Sequence, residues 1–157
     1  MLLTFFEWCE ATVLGETIRT SLWLFPAIEC VHLLGLVMLG GSVLMVDLRL
    51  LGVGLREQPI AQVADAGHRL LTTGLIIMLA TGIPLFLSEA IKCYYSPSFW
   101  VKILTLLPAI AFALTVRRRV TGADPATVND RQRTLTAVAS LGLWFTVAAA
   151  GRWIGFS

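Results

Sequence analysis

Few residues of this sequence can do chemistry, and two of them, Glu29 and His32, lie inside a segment apolar enough to cross a bilayer, from Ser21 to Val46. An ionisable group at membrane depth is costly without a partner, and usually belongs to a cofactor, a proton path or a tight polar contact. His32 is therefore a candidate haem or metal ligand, a proton carrier or a hydrogen-bonded packing residue. Glu29 lies on the same helical face, where it can fix the imidazole tautomer, bind a proton or accept a hydrogen bond.

A second axial ligand for an iron on His32 would have to lie at a similar depth. His32 is about 10 residues, or roughly 15 Å, from the outer edge of its segment, and Met78 is about 10 residues before Ser88. Met78 is thus a candidate sixth ligand, although methionine also packs commonly in apolar helices. His68 is about 20 residues before Ser88, too far for a simple pair. With Arg69 it can bind a propionate, a quinone head group or a lipid phosphate, or form an interfacial basic cluster.

The elements that must position these residues are membrane helices. The chain has 157 residues, of which 57% are hydrophobic and 14% charged, with a mean hydropathy of +0.79, which excludes an ordinary soluble domain. We predict one all-α domain over residues 1–157, an integral membrane up-down four-helix bundle. Its spans are expected at Ser21–Val46, Arg69–Ser88, Phe99–Val116 and Thr134–Gly151.

Two flanking regions complete this architecture. Met1–Leu14 mixes bulky apolar residues with Glu7 and Glu10, which favours a short interfacial helix or a frayed terminus and argues against a removable signal peptide. Pro59 can open the second helix before the membrane proper.

Arginines are concentrated between spans one and two and between spans three and four. By the positive-inside rule these loops are cytoplasmic, and both chain ends face outward from a bacterial inner membrane. Such charges need no nucleic-acid partner. Asp47 can pair with Arg49 or Arg69, and Trp100 with Lys102 fits an aromatic belt with a snorkelling lysine. The arginines are Arg49, Arg56, Arg69, Arg117, Arg118, Arg119, Arg131 and Arg133.

Small residues and cysteines leave alternatives open. Gly35, Gly40 and Gly41 form a strip against which either a neighbouring helix or a flat macrocycle can lie. Cys9 and Cys93 would share the outer side and can pair only if their Cα atoms are about 4.4–6.8 Å apart. A homo-oligomer also stays open.

The sequence has no nucleotide-binding loop, no zinc-protease motif and no nucleophile elbow, which disfavours a hydrolase or nucleotide-driven pump.

Short motifs from about residue 28 to 118 resemble the HemJ-type protoporphyrinogen oxidases. The first helix carries Val31-His32-Leu33-Leu34-Gly35, then Gly40-Gly41, and ends in Leu48-Arg49-Leu50. His68-Arg69-Leu70-Leu71 is similar to that family's entry to its second helix, and Trp100-Val101-Lys102-Ile103-Leu104 to the opening of its third. The membrane domain of copper-resistance D proteins has a similar layout.

The resemblance implies a haem b ligated by His32, with Arg49 and Lys102 as polar partners of the site. The chain lacks the family's Tyr-His pair, has Asp47 at an apolar or small position and is shorter at its C-terminus. The chain therefore resembles a distant bacterial relative of this family that keeps the bundle and the cofactor. The resemblance does not imply porphyrinogen oxidation itself.

Three functions remain as hypotheses. The first is a haem-dependent membrane oxidoreductase that passes electrons between a quinone or porphyrin and a redox partner protein. The second is a transporter or accessory subunit for copper or another small solute, using Glu29, Cys30, His32 and Asp47 as a polar path. The third is a structural membrane subunit in which Glu29 and His32 only join helices.

Overall fold

A computed structural model describes residues 1–124 and 127–156, and within them the chain is built from helices and turns without a strand. The predicted all-α class and four-helix membrane bundle are confirmed. The helices are α1 Leu2–Glu10, α2 Val13–Thr20, α3 Leu24–Leu50, α4 Ile60–Ser88, α5 Ala90–Tyr95, α6 Pro97–Phe112, a π-helical turn Ala113–Arg117, α7 Arg118–Gly122 and α8 Asp130–Ile154.

Four stretches are long and apolar enough to cross a membrane: α3, α4, α8 and the continuous helix from Pro97 to Gly122. The protein is therefore a multi-pass membrane protein in contact with lipid. Three of these four helices begin earlier than the spans predicted from the sequence, and three end later. The reason is that hydropathy marks the apolar part of a helix and not its polar terminal turns. Pro59 precedes the first residue of α4, as predicted, and Asn129 begins α8 with a reciprocal capping box to Gln132.

Among the described helices, α3 and α4 share the most extensive contact, and glycines allow their backbones to approach. A Cβ atom at Gly74 would lie 2.8 Å from both the Gly35 carbonyl oxygen and the Leu39 amide nitrogen. About two helical turns further along, the Ser42 hydroxyl donates to the Gly67 carbonyl oxygen over 2.7 Å. Of the two readings of the glycine strip, close helix contact therefore applies to Gly35.

The third span contains a change of helical phase. After Ala109 the regular helix continues only to Phe112, and a five-residue π turn comes before α7. A π turn holds more residues than an α turn, and so rotates the later residues of the span around the helix axis. Arg117, expected in a basic loop, instead lies within the helix and is buried, with only 5% of its surface exposed.

The N-terminal helices pack on the bundle end formed by the C-terminus of α4 and by α5. Phe6 lies among Phe86, Tyr94, Phe99 and Trp100, with ring centroids 5.3–6.1 Å away. These rings hold α1 across the end of the bundle.

Polar contacts and thiols complete this end. The Glu10 carboxylate pairs with Arg19 at 3.0 Å and accepts from the Ile91 amide at 2.6 Å. Cys9 and Cys93 are free thiols buried in the same hydrophobic cluster. Burial, followed by the charge of Glu89, raises the pKa of Cys93 to about 11.

Candidate functional site

The candidate site is an apolar cavity of about 520 Å³ between α1, α3, α4, α6 and α8. This volume is in the range typical of pockets for cofactors and small molecules. His32 and Met78 both line it, as does Lys102, so the structure brings together three of the residues singled out in the sequence. The rest of the wall is mainly aliphatic and aromatic.

His32 is oriented by α4. Its Nδ1 lies 2.8 Å from the Thr81 hydroxyl oxygen, and that oxygen lies 2.6 Å from the Ile77 carbonyl oxygen. A hydroxyl has one hydrogen, which Thr81 gives to the carbonyl, so it accepts from an Nδ1–H of His32. In the neutral tautomer that carries this Nδ1–H, Nε2 keeps a lone pair. No hydrogen bond within residues 1–124 and 127–156 engages Nε2.

Two glycines shape the space around the imidazole and along α3. A Cβ atom at Gly82 would lie 3.3 Å from His32 Cε1, tighter than an ordinary contact, so the ring rests on the α4 backbone. Gly40 lines the cavity, and a Cβ there would meet nothing within 4 Å. The strip on α3 thus has two roles: Gly35 allows helix contact, whereas Gly40 leaves room for a ligand.

Lys102 supplies the only formal cation of the cavity wall among the described residues. Its Nζ lies near α8, 3.4 Å from where a Cβ at Gly151 would be. Across residues 1–124 and 127–156, no carboxylate forms an ion pair with it. A lysine at this depth in an apolar cavity is suited to an acidic or oxygen-rich ligand.

Trp144 adds a second donor that the sequence analysis did not identify. It lines the cavity from α8, and its Nε1 is buried with no hydrogen-bond partner in the described part of the chain. Buried indole N–H groups usually have a partner. The cavity wall therefore contains one cationic donor, Lys102, and one indole N–H, that of Trp144, which is buried without a partner in the described part of the chain.

The remaining predicted site residues lie elsewhere. Glu29 is exposed on α3, and no contact in the described ranges joins it to His32. The hydrogen-bond partner of the imidazole is Thr81 instead. Arg49 donates to the carbonyl oxygens of Gln58 at 2.8 Å and Arg56 at 3.4 Å in the α3–α4 loop, away from the cavity. Arg69 is exposed.

Asp47 pairs with neither Arg49 nor Arg69. Its Oδ1 accepts from Arg117 Nε at 2.9 Å, and both side chains are buried. Residues two apart on a helix do not face each other, which separates Asp47 from Arg49. His68 borders a second, smaller cavity that also contains Arg117.

Comparison with known proteins adds a family. Residues 5–157 match the sequence model of DUF6644, which is described as a family of unknown function. The chain belongs to the DUF6644 family. No curated protein and no solved structure matches it.

The geometry also bears on which chemistry this DUF6644 protein can support. Within residues 1–124 and 127–156, no three His, Cys, Asp or Glu side chains come together as a metal site. The polar path of the transport hypothesis is not assembled either, since Glu29 and Cys30 are exposed while Asp47 is engaged by Arg117. One ring nitrogen beside a large apolar cavity instead suits a ligand that brings its own metal, or a planar organic ligand.

Proposed function

We propose that this protein binds haem b in the large cavity and acts in membrane electron transfer, as an oxidoreductase component that exchanges electrons with a quinone or porphyrin and a redox partner protein. The observation that carries the proposal is the His32–Thr81 hydrogen bond beside that cavity, because it engages Nδ1 and leaves Nε2 without a partner among the described residues. Histidines that bind metals almost always donate their other ring N–H to an acceptor. The resemblance to HemJ-type oxidases supports the same ligand.

The residues present fit the cofactor in five respects. His32 offers a neutral ring nitrogen, and Met78 offers a thioether in the same cavity. Gly40 leaves space along α3 for a flat ring. Lys102 offers a donor to propionate oxygens, and the rest of the wall is mainly apolar. When bound, haem iron would supply one-electron chemistry, with a potential that depends on the axial ligands and on burial.

The decisive experiment is the absorption spectrum of the detergent-purified protein from haem-replete cells, oxidised and reduced with dithionite, with elemental analysis of the same sample. We expect a Soret band that shifts on reduction, and iron in proportion to it. His32→Ala should abolish the band. His68→Ala is the matched control, since it removes the other histidine of the chain and should leave the spectrum unchanged.

Two outcomes would refute the proposal: a colourless wild-type sample under these conditions, or a full Soret band in His32→Ala. Copper retained in place of iron would favour the transport hypothesis. Met78→Leu tests the sixth ligand separately. We expect it to change the spin state while haem stays bound, and an unchanged spectrum would assign the sixth position to another group.

Lys102→Met tests the proposed propionate contact. We expect haem to be lost more readily on dilution in detergent, because a charge-assisted bond contributes roughly 1.5–3 kcal/mol. Lys92→Met, at a half-buried position of α5 that does not line the cavity, serves as the control. Equal haem retention in both variants would remove Lys102 from the site.

The proposal includes an orientation in the bacterial inner membrane. Of the 12 Lys and Arg residues, Arg49, Arg56, Arg69, Arg117, Arg118, Arg119, Arg131 and Arg133 lie at or near one end of the bundle. We assign this end to the cytoplasm by the positive-inside rule, with the chain ends outside. A cysteine introduced at Gln58 in the α3–α4 loop should react with a membrane-impermeant maleimide only after the cells are opened.

A further inference from the structure

A second cavity, of about 190 Å³, lies between the first turns of α4 and the helix that ends at Gly122. Ala61 and Gly122 line it, and both are in terminal turns of their helices. The cavity is therefore at the arginine-rich end of the bundle, at the level of lipid head groups. Alanine or glycine lines the gap on both helices, so no large side chain from these positions fills it.

Charged and titratable groups face this cavity from both helices. Asp65 and His68 come from α4, and Arg117 and Arg118 come from the π turn and α7. From α3, Asp47 lies behind Arg117 and binds its Nε. The two guanidinium groups and the two carboxylates balance, so these four groups together favour neither a simple anion nor a simple cation.

Several of these groups have unused bonding capacity. Arg117 donates from Nε to Asp47 and from Nη2 to the carbonyl oxygens of Ser42 and Val43, which leaves its Nη1 without an acceptor among the described residues. In the same described ranges, no ion pair or side-chain hydrogen bond engages Asp65, Arg118 or the His68 ring. A carboxylate acceptor and guanidinium donors thus share one small space.

We propose that this cavity binds the zwitterionic head group of phosphatidylethanolamine, with the phosphate on Arg117 and Arg118 and the ammonium group on Asp65. Guanidinium groups suit phosphate oxygens, and a primary ammonium can donate hydrogen bonds to a carboxylate whereas a quaternary one cannot. At about 190 Å³ the cavity is less than half the volume of the large one, about 520 Å³.

The charge pattern also separates this lipid from anionic ones. Phosphatidylglycerol would satisfy the guanidinium groups but leave Asp65 facing added negative charge without a cation. The proposal does not depend on haem binding in the large cavity, because Arg117, Arg118, Asp65 and His68 line only the smaller one.

The test is native mass spectrometry of the full-length protein, titrated in detergent with phosphatidylethanolamine, phosphatidylglycerol, phosphatidylcholine or water-soluble phosphorylethanolamine. We expect phosphatidylethanolamine to bind most tightly. Arg118→Gln should weaken it roughly tenfold, the size of one lost charge-assisted bond. Asp65→Asn should remove the preference over phosphatidylglycerol. Arg119→Gln is the control, since Arg119 is adjacent but does not line the cavity.

Three results would overturn the proposal. These are equal binding of all lipids, a preference for phosphatidylglycerol in the wild type, or an unchanged preference in Asp65→Asn. If phosphorylethanolamine bound as tightly as the lipid, the ligand of this cavity would be a soluble molecule and not a lipid. Asp65 and Arg118 are exposed, so these substitutions should leave folding intact, which the thermal midpoint of each variant checks.

Discussion

Asp47 and Arg117 are 70 positions apart in the sequence and form an ion pair across the bundle, with 2.9 Å between Oδ1 and Nε. The pair links α3 to the π turn of the third span, and Arg117 also donates to the Ser42 and Val43 carbonyl oxygens. Arg117 lines the smaller cavity and not the large one. The pair thus fixes how the third span is rotated against α3.

Removing one partner of this pair should destabilise the protein strongly. We expect Asp47→Leu or Arg117→Met alone to cost roughly 3–5 kcal/mol, because each leaves an uncompensated buried charge. The double variant should recover most of the loss, since apolar residues of similar volume often replace a buried pair without penalty. Unfolding in mixed detergent and SDS measures all three; a double variant no more stable than the singles would contradict this account.

Close contact between α3 and α4 predicts a large effect of one methyl group at Gly74. Gly74→Ala would place a Cβ 2.8 Å from backbone atoms of Gly35 and Leu39, which cannot move aside as a flexible side chain would. We expect a fall in thermal midpoint corresponding to about 1–3 kcal/mol. Gly142→Ala on α8 is the matched control, because a Cβ there meets nothing within 4 Å and should cost nothing.

Filling the space at Gly40 should block the ligand without unfolding the protein. Gly40→Phe projects into the large cavity, whereas Gly41→Phe adds the same ring at an exposed position with open space around its Cβ. We expect loss of haem from the first variant and retention in the second, with similar thermal midpoints of the haem-free proteins. Equal haem content would place the ligand away from this part of α3.

The thiol of Cys93 should react slowly at neutral pH. Burial and the Glu89 charge raise its pKa from 9.0 to about 11, so the thiolate is a small minority at pH 8 and grows about tenfold per pH unit. A variant with Cys9 and Cys30 replaced by alanine isolates the reaction. Its rate of alkylation by iodoacetamide should still be rising at pH 10; a plateau below pH 9 would contradict the raised pKa.

Much of the fold can be predicted from the sequence. The number of spans, the helix start after Pro59 and the clustering of arginines at one end could be predicted because each depends on composition along a single helix. The common cavity of His32 and Met78 agrees with a depth estimate that uses only the helical rise. The haem itself stays a prediction.

Other relationships were decided only by the tertiary structure. Sequence reasoning gave His32 the neighbour Glu29 and Asp47 the neighbour Arg49, but their partners are Thr81 and Arg117, on other helices. Which side chains meet depends on the rotation and axial shift between helices, and spacing within one helix does not contain these quantities. The π turn adds a further rotation that no residue pattern marked. Sequence alone therefore determined that this chain crosses the membrane four times, whereas helix packing decided which polar groups are paired and which remain free for a ligand.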